Sequence, residues 1–224
     1  MRRSHRALGS ILGLFCTALQ LCSQTAHAQD ASAAETAAAR SLAVEGLKLA
    51  QAGNCGEAVA KLERAEKLYH SAVVASRLGE CYVSQGRLVE GTEILRKVLR
   101  EPLPADPQPN LLKALEKAQR TLDIARPRIA GLTIKVAAVE QLSVKVDGNP
   151  LAVALLETEI PSDPGEHSIE ASAPGFLKVA TRVSVTDAEK KTVTLTLTRD
   201  PNAVSSPAKV AAFEPAPERV AAGP

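Results

Sequence analysis

Residues 72–100 read AVVASRLGECYVSQGRLVEGTEILRKVLR, and residues 39–67, one period of 33 earlier, read ARSLAVEGLKLAQAGNCGEAVAKLERAEK. Laid over each other, Gly46 falls on Gly79, Ala58 on Gly91, Leu62 on Leu95 and Ala65 on Val98. Each unit holds two helix-length stretches, at about Ala37–Ala52 and Cys55–Tyr69, then Ala72–Gln85 and Leu88–Arg100. The turns Ala52-Gly53-Asn54 and Gln85-Gly86-Arg87 place a glycine where a helix C-terminus takes positive φ. Gly46, Ala58, Gly79 and Gly91 stand where helices cross, and small side chains there allow close approach.

Outward from the repeat, Pro102, Pro104, Pro107 and Pro109 punctuate a linker. Asn110 can then cap a helix running to Arg126, with one apolar stripe of Leu111, Leu115, Ala118, Leu122 and Ala125. Lys113, Glu116, Lys117, Arg120 and Asp123 occupy its other face. A one-sided helix of this kind suits the end of a helical stack, which otherwise exposes apolar surface.

The spaced set over Ala37–Leu103 resembles the tetratricopeptide repeat. The second unit carries Leu78-Gly79, Tyr82, Gly91, Leu95 and Pro102; the first carries Gly46, Leu49, Ala58, Leu62 and Ala65, with Leu42 where a large aromatic is usual. The resemblance implies a concave face for a protein partner, here Arg40, Ala43, Leu47 and Gln51 from the first unit and Ser76, Glu80 and Val83 from the second. The basic and Asn residues of the carboxylate-clamp subclass are absent from that face, so recognition of a C-terminal carboxylate is not implied. The alternative is that the capping helix covers Leu47 and Val83 and the face binds nothing.

Beyond Pro127 the hydrophobic period changes to two. Leu132, Ile134 and Val136 alternate with polar residues, as do Leu142, Val144 and Val146. Further strand-like runs lie at Ser168–Ser172, Lys178–Val185 and Thr192–Thr198. Asp147-Gly148 suits a tight hairpin, and Pro164-Gly165 and Pro174-Gly175 suit type II turns. The ordered motifs Val146-Asp147-Gly148, Asp163-Pro164-Gly165-Glu166-His167 and Ala173-Pro174-Gly175-Phe176 resemble the PEGA domain of bacterial envelope proteins. That resemblance covers about Ile129–Thr198 and implies an immunoglobulin-like module for envelope or surface interaction, without catalysis. It departs from the family at Ala152–Pro161, which leaves the second strand open.

The fold class expected is thus α plus β in separate domains. TPR-like helical hairpins with a capping helix occupy 37–126, and a small antiparallel immunoglobulin-like β-sandwich follows at 127–199. Residues 1–28 read as a signal peptide: Arg2, Arg3 and Arg6 precede the apolar run Ala7–Leu21, and Ala26-His27-Ala28 is a cleavage signal before Gln29. Residues 29–36 read as a linker, and 200–224 as a disordered Pro/Ala-rich tail. A lipoprotein site at Cys22 fits poorly, because Leu21 precedes it and a small residue is usual there. The expected location is periplasmic or extracellular, with no transmembrane segment after cleavage.

Charge and composition narrow the function. The full chain has 27 basic and 25 acidic residues, a net charge of +2. Three arginines and no acid leave with the signal, so 24 basic and 25 acidic residues remain, a balance of −1. No basic nucleic-acid surface is signalled, and with aromatics at 2% there is little to stack on bases or sugars. Two cysteines remain, Cys55 and Cys81, and in an oxidising compartment an even pair suggests a disulfide. The simple helix register leaves the two thiols about one turn apart, roughly 5–8 Å, so two buried free thiols remain the alternative.

Chemistry has little to build on. His70 and His167 are the histidines outside the signal, and no G-x-S-x-G, G-x-G-x-x-G or P-loop occurs. A zinc set of Cys55, Cys81, His70 and His167 lacks a close-spaced ligand pair. Glu157 and Glu159 are strand-spaced acids of a solvated face. No catalytic residue, cofactor or metal is expected. The reading is a secreted scaffold or adaptor whose partner is an unidentified envelope protein or peptide. The alternatives are a module for cell-wall carbohydrate, which scarce aromatics disfavour, and an enzyme, which the missing motifs disfavour.

Overall fold

Each helical hairpin is closed by a glycine lying under a leucine. A Cβ on Gly46 would stand 2.8 Å from Cγ of Leu62, and one on Gly79 would stand 2.9 Å from Cγ of Leu95. The same contact therefore recurs after 33 residues, with both leucines fully buried. In a computed structural model, which describes residues 17–202 and side chains from residue 33 on, five helices precede seven strands among the described residues. The class is α plus β with the helices N-terminal.

Helices α1 (Thr17–Gln51), α2 (Cys55–Leu68), α3 (Ala72–Ser84) and α4 (Leu88–Leu99) form the hairpins, and α5 (Pro109–Ala125) follows. From α2 to α4 each boundary lies within one residue of the sequence expectation; α5 starts earlier than expected, because Pro109 is suited to the first helical position, so Gln108 takes the cap place and Asn110, expected as the cap, lies inside the helix. At α1 the structure differs. The helix already runs through 29–36, the stretch read as a linker. Ala31, Ala33, Ala34 and Ala37 to Ala39 explain this, because alanine has the highest intrinsic helix propensity. Within the signal reading, residues 1–16 lie outside the described residues, and so do the side chains of Cys22 and of Ala26 to Ala28. The tail reading falls mainly on residues 203–224, which also lie outside.

The turns show why the helices stop. Gly53 and Gly86 take φ of +80° and +82°, which a Cβ would oppose. Asn54 then caps α2: its Oδ1 accepts from the Glu57 N–H at 3.3 Å, and its Nδ2 donates to Glu57 Oε1 at 2.9 Å. One period later Arg87 pairs with Glu90, but no side chain of its own neighbourhood caps α4. The cap comes from far along the chain: Asp163 Oδ1 accepts from the Val89 N–H at 2.7 Å. A carboxylate at a helix N-terminus also meets the positive end of the macrodipole. Asp163→Ala is expected to cost about 1 kcal/mol, read as a lower urea midpoint; an unchanged midpoint would show the cap to be idle.

The core of the first two hairpins comprises Ala58, Val59, Leu62, Ala65, Val74, Leu78, Cys81 and Tyr82, with Ala50. Tyr82 donates its hydroxyl to the Glu63 carboxylate, and the Arg87 guanidinium lies 3.8 Å from its ring centroid. Burial, then Glu63, pushes its pKa up to about 12. Cys55 and Cys81 are joined, with a Cα–Cα distance of 5.1 Å. The one-turn gap of the simple register therefore closes. Cys55 is the first residue of α2 and Cys81 lies in the last turn of α3, so both sit near one end of the pair. The predicted stripe of α5 is apolar inward: Ala118 and Leu122 form a second cluster with Leu95, flanked by Val83 and Leu99.

The strands are β1 (Ala130–Val136), β2 (Ser143–Val146), β3 (Asn149–Leu151), β4 (Glu159–Ser162), β5 (Gly165–Ser172), β6 (Val179–Val185) and β7 (Lys190–Leu195). They form a three-stranded sheet in the order β4-β1-β7 and a four-stranded sheet in the order β3-β2-β5-β6. The pairs β1–β4, β2–β3 and β2–β5 are antiparallel. β3 and β4, which the sequence left open, carry Pro150 and Pro161 and lie at sheet edges, where a missing N–H is tolerated.

Asp147 and Gly148 both take positive φ, at 51° and 80°, and make the tight turn from β2 to β3. Gly175, at φ 75°, makes the expected turn, with the Phe176 N–H on the Ala173 carbonyl at 3.2 Å. Gly165 does not make a type II turn. Its φ of 141° is already extended in a sense open to glycine, and it opens β5.

By its internal contacts the chain divides into two compact units. One holds the described residues to Thr133 with Glu159–Glu166 and Ser184–Lys191; the other holds Ile134–Thr158, His167–Val183 and the described residues from Thr192. In the second, Asp147 explains two of the sequence motifs at once. Its Oδ2 lies 2.7 Å from Nδ1 of His167, a buried residue, and its Oδ1 accepts from the Ser168 N–H at 2.8 Å. The Asp of the Asp-Gly turn thus fixes the start of the strand that follows Pro164-Gly165.

Candidate functional site

Three helices each present one stripe to a shared cleft of about 360 Å³. α1 contributes Leu47 and Gln51, α3 contributes Val73, Ser76, Arg77 and Glu80, and α5 contributes Asn110, Lys113, Ala114 and Lys117. The spacings of three and four residues are those of one helix face. Cleft volumes of this order are at the low end of ordinary ligand sites, about 300–1,000 Å³.

The charges inside are arranged around one carboxylate. Glu80, with its side chain only 9% exposed, receives Arg77 Nη1 at 2.8 Å and Lys117 Nζ at 2.7 Å. Lys113, one turn before Lys117, is exposed and makes no ion pair among the described residues. Ser76 is committed internally, since its hydroxyl donates to the Ala72 carbonyl at 2.7 Å. The lining carries three cations and one anion over a floor that includes Leu47, Val73 and Ala114.

Of the concave-face residues read from the sequence, Leu47, Gln51, Ser76 and Glu80 come together here. Arg40 does not join them. It lies seven residues before Leu47, about 10 Å along the α1 axis. There it lines a separate hollow of about 160 Å³ with Ala39, Ala43, Ala65, Tyr69, Ser71 and Val74. Val83 does not join them either. It packs against the cluster of Leu95, Ala118 and Leu122, because the apolar stripe of α5 covers that part of α3. Three lining residues lie outside the concave face expected from the sequence: Lys113 and Lys117, expected on the polar face of the capping helix, and Asn110, expected as its cap. The available signal was their spacing: Lys113 and Lys117 flank the apolar stripe one turn apart, at its border rather than opposite it.

Two other polar groupings are built from other residues. His70 Nδ1 lies 2.6 Å from Glu66 and its Nε2 lies 3.0 Å from Glu101. The hydrogen bond with Glu101, and after it that with Glu66, raises the imidazole pKa above its ordinary 6.5, against the opposing effect of burial. A raised folded-state pKa contributes stability that is complete below pH 6.5 and is lost as pH rises through the raised value. The urea midpoint is therefore expected to fall modestly as pH rises from about 6 through that value, and His70→Ala is expected to flatten the fall. An identical pH profile in the variant would contradict this. His167, paired with Asp147, is buried in the second unit. Among the described residues no group of three or more His, Cys, Asp or Glu side chains is arranged to hold a metal ion. Nor is any helix among them long and apolar enough to cross a membrane.

No protein-family model matches the chain, and no curated protein matches it. The functional reading therefore rests on the residues and their geometry.

Proposed function

We propose that the chain is a secreted, non-enzymatic adaptor of the bacterial cell envelope. In this reading the TPR-like helices of residues 37–126 hold a segment of a partner protein. The immunoglobulin-like, PEGA-like strands of residues 127–199 contact the envelope or a second protein. The cleft between α1, α3 and α5 is the single observation that carries the proposal. The glycine–leucine contact that recurs after 33 residues supports the repeat reading. The Asp147-Gly148 and Pro174-Gly175 turns support the PEGA-like reading, and the disulfide fits an oxidising compartment such as the periplasm.

The carbohydrate alternative gains nothing from a hollow beside Phe176. That hollow, about 340 Å³, is lined by Val139, Glu140, Gln141, Pro174, Phe176 and Arg199. Phe176 is half-buried, and the Arg199 guanidinium lies over its ring at 5.8 Å from the centroid, where a sugar face would stack.

The test is photo-crosslinking in cells from the full chain, with a photoreactive residue at position 73 in the cleft and at position 120, exposed on α5, as control. A discrete protein adduct from position 73 and none from position 120 is the expected result. No adduct from position 73, or the same adducts from both, would overturn the adaptor reading.

A further inference from the structure

The cleft is positive on a chain whose charges otherwise nearly cancel. Arg77, Lys113 and Lys117 line it against the single carboxylate of Glu80, a local balance of +2. The chain without its signal has 24 basic and 25 acidic residues. The first turn of α5, which opens beside Asn110 and Lys113, holds no acidic residue, so the positive end of that helix is not offset from within it. Glu80 shows what this environment takes: an almost buried carboxylate gripped by Arg77 and Lys117 at 2.8 and 2.7 Å. Lys113 presents the same chemistry one turn away and has no ion-pair partner among the described residues.

From this charge arrangement we infer that the cleft binds an acidic peptide segment. The inference rests on the adaptor reading and gives its partner a chemistry. A side-chain carboxylate of the ligand pairs with Lys113, and a second competes with Glu80 for Lys117. Leu47, Val73 and Ala114 take apolar side chains between them. Lys113 and Lys117 come from the helix after the repeats, so the missing clamp residues on the repeat face do not prevent recognition of acids. A cluster this local, with no aromatic side chain in its lining, favours a peptide over a nucleic acid. Attraction between partly exposed charges is screened by salt, so the complex should weaken as ionic strength rises.

The experiment uses the full mature chain and a labelled, end-blocked hexapeptide of alternating Leu and Glu, with its Leu/Gln counterpart. The Glu peptide is expected to bind and the Gln peptide to bind at least tenfold more weakly. Lys113→Glu is expected to weaken binding of the Glu peptide tenfold or more, while Tm stays put because Lys113 holds no partner. Glu80→Gln frees Lys117 and Arg77 and is expected to tighten binding severalfold. Equal binding of the two peptides would overturn the inference. So would indifference to Lys113→Glu, or binding of single-stranded DNA in place of the Glu peptide. If the cleft crosslinks to a partner in cells but the Glu peptide does not bind, this inference fails and the adaptor reading stands.

Discussion

Reduction of the Cys55–Cys81 bond should lower Tm by about 7–14 °C. The bond closes a loop with a sequence separation of 26, and the chain-entropy relation then gives about 3.5 kcal/mol at 25 °C. For a chain of this size each kcal/mol moves Tm by about 2–4 °C. The stabilisation acts where it matters, because Cys81 is fully buried in the core of the first two hairpins. The measurement is a thermal melt of the mature protein with and without reductant, beside a Cys55→Ala/Cys81→Ala double variant. The variant should melt near the reduced protein and ignore reductant. Two thiols titrating in urea without reductant, with one Tm for all samples, would show that the bond does not form.

Substitution at Gly91 should be the most damaging single change in the helices. Its Cβ would stand 2.7 Å from Val83 Cγ2, 2.8 Å from the Gly79 carbonyl oxygen and 3.0 Å from the Val83 backbone nitrogen. Two of those neighbours are backbone and cannot rotate away, so α3 and α4 must separate. Gly91→Val is expected to cost about 3 kcal/mol or more. Gly56 gives the opposite sign. It also lies in a helix, is exposed, and its Cβ would meet only Asn54 Oδ1 at 3.8 Å. Gly56→Ala should therefore stabilise the protein by about 0.5 kcal/mol through helix propensity alone. Urea unfolding of the two variants checks both. Equal midpoints would mean that close approach at Gly91 is not what sets the helix spacing.

These two predictions also separate what local sequence carries from what it does not. Gly53 and Gly86 are legible as helix stops because positive φ is a property of the residue itself. Asp147-Gly148 is legible as a hairpin turn for the same reason. β3 and β4 were not legible. Pro150 and Pro161 argue against strands locally, and only their edge positions in the sheets make them acceptable. Residues 29–36, expected as a linker, are helical because the alanines before the repeat are good helix formers.

The candidate site was half visible. Leu47, Gln51, Ser76 and Glu80 share a face by helical spacing, and the cleft gathers them. Arg40 shares that angular position but not the height. Val83 shares the helix but lies under α5. No periodicity argument could have made those distinctions, since both depend on where a neighbouring helix ends.

The amino-acid sequence by itself thus determined the helices after the first, their repeat of 33, the turn glycines and the small residues where helices cross. All of these follow from backbone preferences and apolar period over a few residues. Only the tertiary structure decided that Asp163 caps a helix 74 residues away, that the two thiols meet, and that Lys117 crosses to Glu80. Those contacts depend on helix spacing and crossing. Here the spacing is set by glycines whose missing Cβ atoms let backbones approach, and a shift of one turn would separate every one of these partners.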